Sequence, residues 1–124
     1  MKKIDAIEVY EPYITAFHRA IYDSIFIGNI NRLEIGNYDL ILLCDILEHF
    51  PKDTAKNVLE KCRKHAKFVI VSMPNGFMHQ SPSNGNSREE HLSGFTPKDF
   101  EGEVLYEDND VFSMLIKGRL NNGG

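Results

Sequence analysis

The chain has 124 residues and a mass of 14.2 kDa, the size of one domain. Apolar residues make up 42% and charged residues 26%, so disorder, a collagen repeat and a coiled coil are excluded as whole-chain architectures. With 18 acids against 14 bases the net charge is −4, and the sequence has no broad basic face of the kind that nucleic-acid binding needs.

No apolar run approaches the ~18 residues of a membrane span. Asp5, Glu8 and Glu11 interrupt the segment after the initial basic MKK, so it does not read as a signal peptide. A cytoplasmic protein with no membrane partner is expected. Lys61, Arg63, Lys64 and Lys67 cluster at a helix end, where cations offset the helix dipole. Cys44 and Cys62 lie in apolar patterns and read as small buried hydrophobes in a reducing compartment.

The pattern along the chain alternates strand and helix. Ile4 to Val9 reads as a short strand. Pro12 suits the first turn of a helix, and Tyr13, Ile14, Phe17 and Ile21 then recur at helical spacing. Tyr22 to Ile27 reads as a second strand closed by Gly28-Asn29, and residues 31–37 as a connector. Tyr38 to Cys44 ends in five consecutive apolar residues, which suits a strand buried on both faces inside a parallel sheet. Residues 52–66 form the strongest helix, with Ala55, Val58, Leu59, Cys62 and Ala66 on one stripe. Phe68 to Met73 is a further buried strand, stopped by Pro74.

Residues 75–96 lose periodicity, and 77–93 are expected to be the most mobile internal segment. Thr96-Pro97 starts a short helical turn ending near Phe100. Val104 to Tyr106 and Val111 to Ile116 read as an antiparallel hairpin around Asp108-Asn109-Asp110. The reading is a single α/β domain over 1–120 with a disordered tail at 121–124. Its core is a Rossmann-like, mainly parallel sheet with helices on its faces and a C-terminal antiparallel hairpin.

Ligands of open α/β sheets bind beyond the carboxyl ends of the strands. Glu8 stands at the first such end, where a carboxylate can accept both hydroxyls of a ribose. Asn29 follows a glycine at the next, where an amide can read an adenine edge. Asp45 ends the apolar strand and can face a cationic ligand group. Taken singly, each also fits a solvated loop residue or a helix cap. Their occurrence at successive strand ends is what makes them candidates.

The run Tyr38-Asp39-Leu40-Ile41-Leu42-Leu43-Cys44-Asp45-Ile46-Leu47-Glu48-His49-Phe50 resembles the fourth-strand motif of class I S-adenosylmethionine-dependent methyltransferases, with its LEH triplet in the strand-to-helix turn. Ile7-Glu8-Val9 is similar to the second strand of that family with its ribose-binding acid. Ile27-Gly28-Asn29-Ile30 is similar to its post-third-strand motif, with Asn29 in place of the usual aspartate. Val69 to Pro74 resembles the fifth strand. Asn75-Gly76, Gln80, Asn86, Glu90 and His91 to Phe95 resemble a substrate-side loop.

The resemblance implies methyl transfer from S-adenosylmethionine to a small-molecule or other acceptor. Glu8, Asn29, Ile30 and Asp45 would contact the cofactor. His49 would act as a general base near pH 7 and His91, with Glu90, would line the substrate pocket. A packed turn histidine and a solvated loop are the bland alternatives for these two sites. His49, His79, His91 and Glu48 lack metal-ligand spacing, so no metal is expected.

One departure stands against these matches. The family's glycine-rich first-strand motif is absent, since no two glycines stand two positions apart. The first strand, normally central, is missing with its loop and helix. The sheet closes over the gap, another chain fills it, or the sequence is a piece of a longer protein. The isolated chain should therefore bind S-adenosylmethionine weakly or not at all, and a homodimer is expected from the uncovered apolar surface. Two other readings are a non-catalytic binding or assembly module on the same fold, and an unrelated flavodoxin-like or receiver domain, which leaves Leu47-Glu48-His49 without explanation.

Overall fold

A computed structural model describes residues 5–8, 15–16, 22–76 and 94–120. Of the helix expected over 13–21 only Thr15 and Ala16 fall among them. The 77–93 segment, His91 and the 121–124 tail lie outside the described residues. The chain divides into two compact units, 1–34 and 35–124.

In the first unit, β1 (Asp5–Glu8) and β2 (Ser24–Ile27) pair in parallel, with Glu8 opposite Ile27. Gly28 follows at φ 154°, a conformation that side chains rarely adopt. A Cβ there would press on the Leu33 side chain at 3.1 Å. The missing side chain at Gly28 thus makes room for Leu33.

The second unit holds a four-stranded sheet in the order β3-β4-β6-β5. β3 (Tyr38–Cys44) and β4 (Ala66–Pro74) run parallel, joined through α1 (Lys52–Lys64). β5 (Glu103–Glu107) and β6 (Val111–Lys117) form the antiparallel hairpin that the sequence predicts, with a bulge between Val104 and Tyr106. β6 also pairs antiparallel with β4. The sheet is therefore mixed, as expected for an α/β domain closing on a hairpin.

α1 starts at Pro51, whose carbonyl accepts the Ala55 N–H at 2.9 Å. Asp53 lies in the first turn and Lys61, Arg63 and Lys64 in the last, matching the two ends of the helix dipole. Its Ala55, Val58 and Cys62 are buried. Period-two alternation in β4 turns Val69, Val71 and Met73 to the same core, beside Ile116, Met114 and Phe112 of β6. Phe112 also lies 6.0 Å from the Phe100 ring, which lies 5.5 Å from Phe95. The helix ends two residues before the sequence predicts, because Ala66 pairs with Tyr38 and begins β4. Glycine is required at 118, where a Cβ would collide with the Ala66 carbonyl oxygen.

Two expectations are corrected. β3 is the edge of its sheet rather than an interior strand, and Leu40 and Leu42 are 46% and 58% exposed. An apolar run predicts two covered faces, but covering also needs a neighbouring strand, and among the described strands β3 pairs only with β4. Cys62 is buried, whereas Cys44, at the end of that edge strand, is exposed.

Candidate functional site

The candidate residues fall into two groups, one in each unit. In the first, Glu8 is the last residue of β1 and Asn29 lies two residues beyond the end of β2, so parallel pairing brings the two strand ends side by side. The Asn29 carbonyl accepts the N–H groups of Arg32 and Leu33 at 2.9 and 3.0 Å. Its side-chain Oδ1 accepts the Asn31 N–H at 2.9 Å. Asn29 thus caps the turn that carries Ile30, and the chain itself uses one of its acceptors.

In the second unit, β3 ends at Asp45, an exposed residue with φ 54°. This left-handed conformation costs most residues ~1–2 kcal/mol, and Asp tolerates it better than most. The Asp45 N–H is tied to the Ser72 carbonyl at 2.8 Å, which anchors the bend to β4. A 3-10 turn, Leu47–His49, follows at once and packs against α1 and β4. His49 is half-buried in it, and its N–H donates to the Ile46 carbonyl at 3.1 Å.

Glu48 is 3% exposed and is the one buried charged residue among those described. Burying a carboxylate is costly. Its place under the turn could not be read from its neighbours, Leu47 and His49, which differ in burial from each other.

At the carboxyl end of β4, a cavity of about 270 Å³ is lined by Asn75, Thr96, Pro97, Lys98 and Glu107. Asn75 donates its Nδ2 protons to Glu107 Oε2 at 3.0 Å and to the Asp108 carbonyl at 2.9 Å. Its N–H donates to the Asp110 carbonyl at 2.9 Å. Asn75 thus fastens the β5–β6 turn to the end of β4. Glu107 and Lys98 were not among the sequence candidates, because no motif surrounds them. On the far side of this segment, the Thr96 N–H donates to Asp99 Oδ2 at 2.8 Å in a capped 3-10 turn, Pro97–Asp99, where the sequence places one. Among the described residues no group of three or more His, Cys, Asp or Glu could hold a metal ion.

The fold of the chain is similar to that of class I S-adenosylmethionine-dependent methyltransferases. Solved structures share it. The N-terminal domain of EvdMO1 with SAH bound aligns at a TM-score of 0.64 and 15% identity, over 96% of this chain and 65% of that one. The PH0226 protein from Pyrococcus horikoshii OT3 aligns at 0.66 and 11% identity, over 94% of this chain and 74% of that one. Magnesium protoporphyrin IX methyltransferase (ChlM) from Synechocystis PCC 6803 with bound SAH aligns at 0.59 and 10% identity, over 91% and 64%. The chain thus spans about two thirds of the length of these structures. No family model matches the sequence, and no curated protein matches it. No helix among the described residues is long and apolar enough to cross a membrane.

Proposed function

We propose that this chain is part of a methyltransferase-like domain that engages the nucleoside part of S-adenosylmethionine and serves methyl transfer to an acceptor. The observation that carries the reading is the fold shared with SAH-bound structures, together with Glu8 and Gly28-Asn29 at adjacent parallel strand ends. In this reading Glu8 accepts the ribose hydroxyls, Asn29 and Ile30 border the adenine, and Asp45 faces a cationic ligand group. His49 and His91 serve the acceptor. When bound, S-adenosylmethionine supplies an electrophilic methyl group on a sulfonium centre, so transfer asks the protein chiefly for alignment.

The residues fit half of that cofactor. In this reading the acid that ends β1 and the amide that follows β2 serve the nucleoside, and the given sequence has no glycine-rich turn to receive the amino-acid end. Half a site scarcely offsets the rigid-body cost of binding, ~4 kcal/mol or more. A dissociation constant of about 1 mM is therefore expected for the isolated chain. A second reading, a non-catalytic binding or assembly module, is favoured by the engagement of Asn29 Oδ1 with Asn31 and by Leu33 filling the space at Gly28.

Calorimetry with S-adenosylhomocysteine tests the proposal. Weak saturable binding that Glu8→Ala weakens further is the expected result. Micromolar affinity would overturn the half-site argument, and affinity indifferent to Glu8→Ala would overturn the ribose assignment. No binding at millimolar ligand would leave the module reading.

A further inference from the structure

α1 ends without a cap of its own. A helix leaves its last four carbonyls without partners inside the helix, and a glycine in the left-handed conformation commonly closes it. Only His65 stands between Lys64, the last residue of α1, and Ala66, the first of β4. Among the described residues positive φ occurs at Gly28, Asp45 and Gly76, so no left-handed residue follows this helix. His65 itself has φ −110° and donates its N–H to one carbonyl, that of Cys62, at 3.1 Å.

The closure comes instead from the segment after β6. Three successive amides turn back onto the junction of α1 and β4. Gly118 donates its N–H to the Lys67 carbonyl at 2.8 Å, Arg119 to the Arg63 carbonyl at 2.7 Å, and Leu120 to the Ala66 carbonyl at 3.1 Å. The contact is reciprocal. Arg63 donates its Nε–H to the Lys117 carbonyl at 3.0 Å, 54 residues away in the chain. The Glu60 carboxylate joins the two arginines, with Oε1 2.8 Å from Arg63 Nη1 and Oε2 2.8 Å from Arg119 Nη2. Gly118 fixes the fit, since a Cβ there would collide with the Ala66 carbonyl oxygen and lie 2.9 Å from the Lys67 carbonyl carbon.

We propose that Gly118-Arg119-Leu120 is a latch on the carboxyl end of α1, and that its release opens the last turn of the helix while the sheet stays folded. Main-chain hydrogen bonds hold the latch. Its ion pair adds little, because the Arg119 and Glu60 side chains are 54% and 39% exposed. All three latch residues keep contact with solvent, whereas Val69, Val71, Met114 and Ile116 of the adjoining strands are buried. Segments with few buried apolar contacts open first. When the latch lifts, the Arg63 carbonyl loses its partner and the turn that carries it frays. Cys62, buried in that same turn, then becomes accessible. The firmness of α1 thus depends on residues after β6 rather than on its own sequence.

The full chain carrying Cys44→Ser, in which Cys62 is the only thiol, tests this. Native labelling of Cys62 by a disulfide reagent, from zero to low urea, reads the opening of the turn. In the otherwise unaltered chain the slow labelling should be nearly independent of urea, because local opening exposes little surface. Arg119→Pro removes the N–H given to the Arg63 carbonyl together with the guanidinium. It should speed labelling at least ~10-fold. Arg119→Ala removes the guanidinium alone and should speed it no more than ~3-fold. A thermal melt verifies that each variant folds. Hydrogen exchange of the unaltered chain should give the Arg119 and Leu120 amides one opening constant shared with Arg63 and Lys64, and a smaller one for Val71 and Ile116. Labelling that follows the global unfolding curve in urea overturns the latch, as does a rate indifferent to Arg119→Pro. Separate opening constants for the two segments overturn it without recourse to any variant. An Arg119→Ala effect equal to that of Arg119→Pro overturns the main-chain closure.

Discussion

Tyr106 donates its hydroxyl proton to Asp108 Oδ2 at 2.7 Å, across the turn that joins β5 to β6. The other carboxylate oxygen, Oδ1, accepts the N–H groups of Asp110 and Val111 at 2.8 and 2.9 Å. One side chain thus gathers three donors and closes the hairpin. Its sequence neighbours Asn109 and Asp110 mark a turn, but only the folded hairpin brings the tyrosine to it.

This relationship has a pH signature. The Tyr106 hydroxyl, then the Val111 and Asp110 amides, hold the Asp108 carboxyl below its ordinary value of 3.8. A carboxylate whose value is depressed on folding contributes stability above its unfolded value, and that contribution is lost as pH falls through the folded value. Tyr106 shifts upward from 10.0, chiefly through the same bond, so its contribution is full below 10.0 and is lost as pH rises through its higher folded value. In a carboxyl-carbon NMR titration, Asp108 should have its midpoint below 3.8, and Tyr106→Phe should move it upward. An unmoved midpoint would show that the amides alone set it.

Burial, rather than hydrophobic sequence, should govern tolerance to charge. Leu42 is 58% exposed, whereas Val71, in the adjacent strand, is 0% exposed. Leu42→Asp is expected to change stability by no more than about 0.5 kcal/mol. Val71→Asp should cost more than ~4 kcal/mol through a carboxylate without solvation in the core. Urea denaturation of the two variants measures the contrast, and comparable losses would mean that β3 is covered in solution.

The two cysteines should separate by reactivity. Burial pushes the Cys62 thiol up to about 11, so almost none is thiolate near neutral pH. Cys44 is exposed, with a thiol raised by partial burial and by Asp45. At low micromolar protein and pH 8, a disulfide reagent should titrate one thiol per chain, at Cys44. The second should appear only on denaturation. Rapid native labelling of Cys62 would show that α1 opens readily.

Asp45 offers a test of backbone strain separate from binding. At φ 54° glycine pays no Cβ penalty and alanine pays the full one. Asp45→Gly should be about 1 kcal/mol more stable than Asp45→Ala, read from thermal melts. If the two are equally stable, the left-handed bend does not persist in solution. Under the proposed function, both should weaken S-adenosylhomocysteine binding equally, since both lack the carboxylate.

Much of the candidate site was legible because strand ends are local features. Glu8, Gly28-Asn29 and Asp45 each close an apolar segment, and each does stand at a strand end. What those side chains touch was not legible. Asn29 spends Oδ1 on Asn31 two residues away, and Asn75 spends its amide protons on Glu107 and Asp108, 32 and 33 residues away. Glu48 is buried because the turn that carries it folds under α1 and β4.

The sequence by itself determined the elements of the second unit. The run 38–44 could only be a strand, the stripe Ala55-Val58-Cys62 only a helix face, and the turn at 108–110 only a hairpin, because period and turn chemistry act between residues close in the chain. The tertiary structure alone decided that β3 lies at an edge, that Cys44 faces solvent beside it, and that Ala66 leaves the helix to pair with Tyr38. An apolar residue states a preference for burial, but whether it is buried depends on which distant strand or helix is there to cover it. For β3, the described neighbours cover one edge and one face, and Leu40 and Leu42 look out from the other.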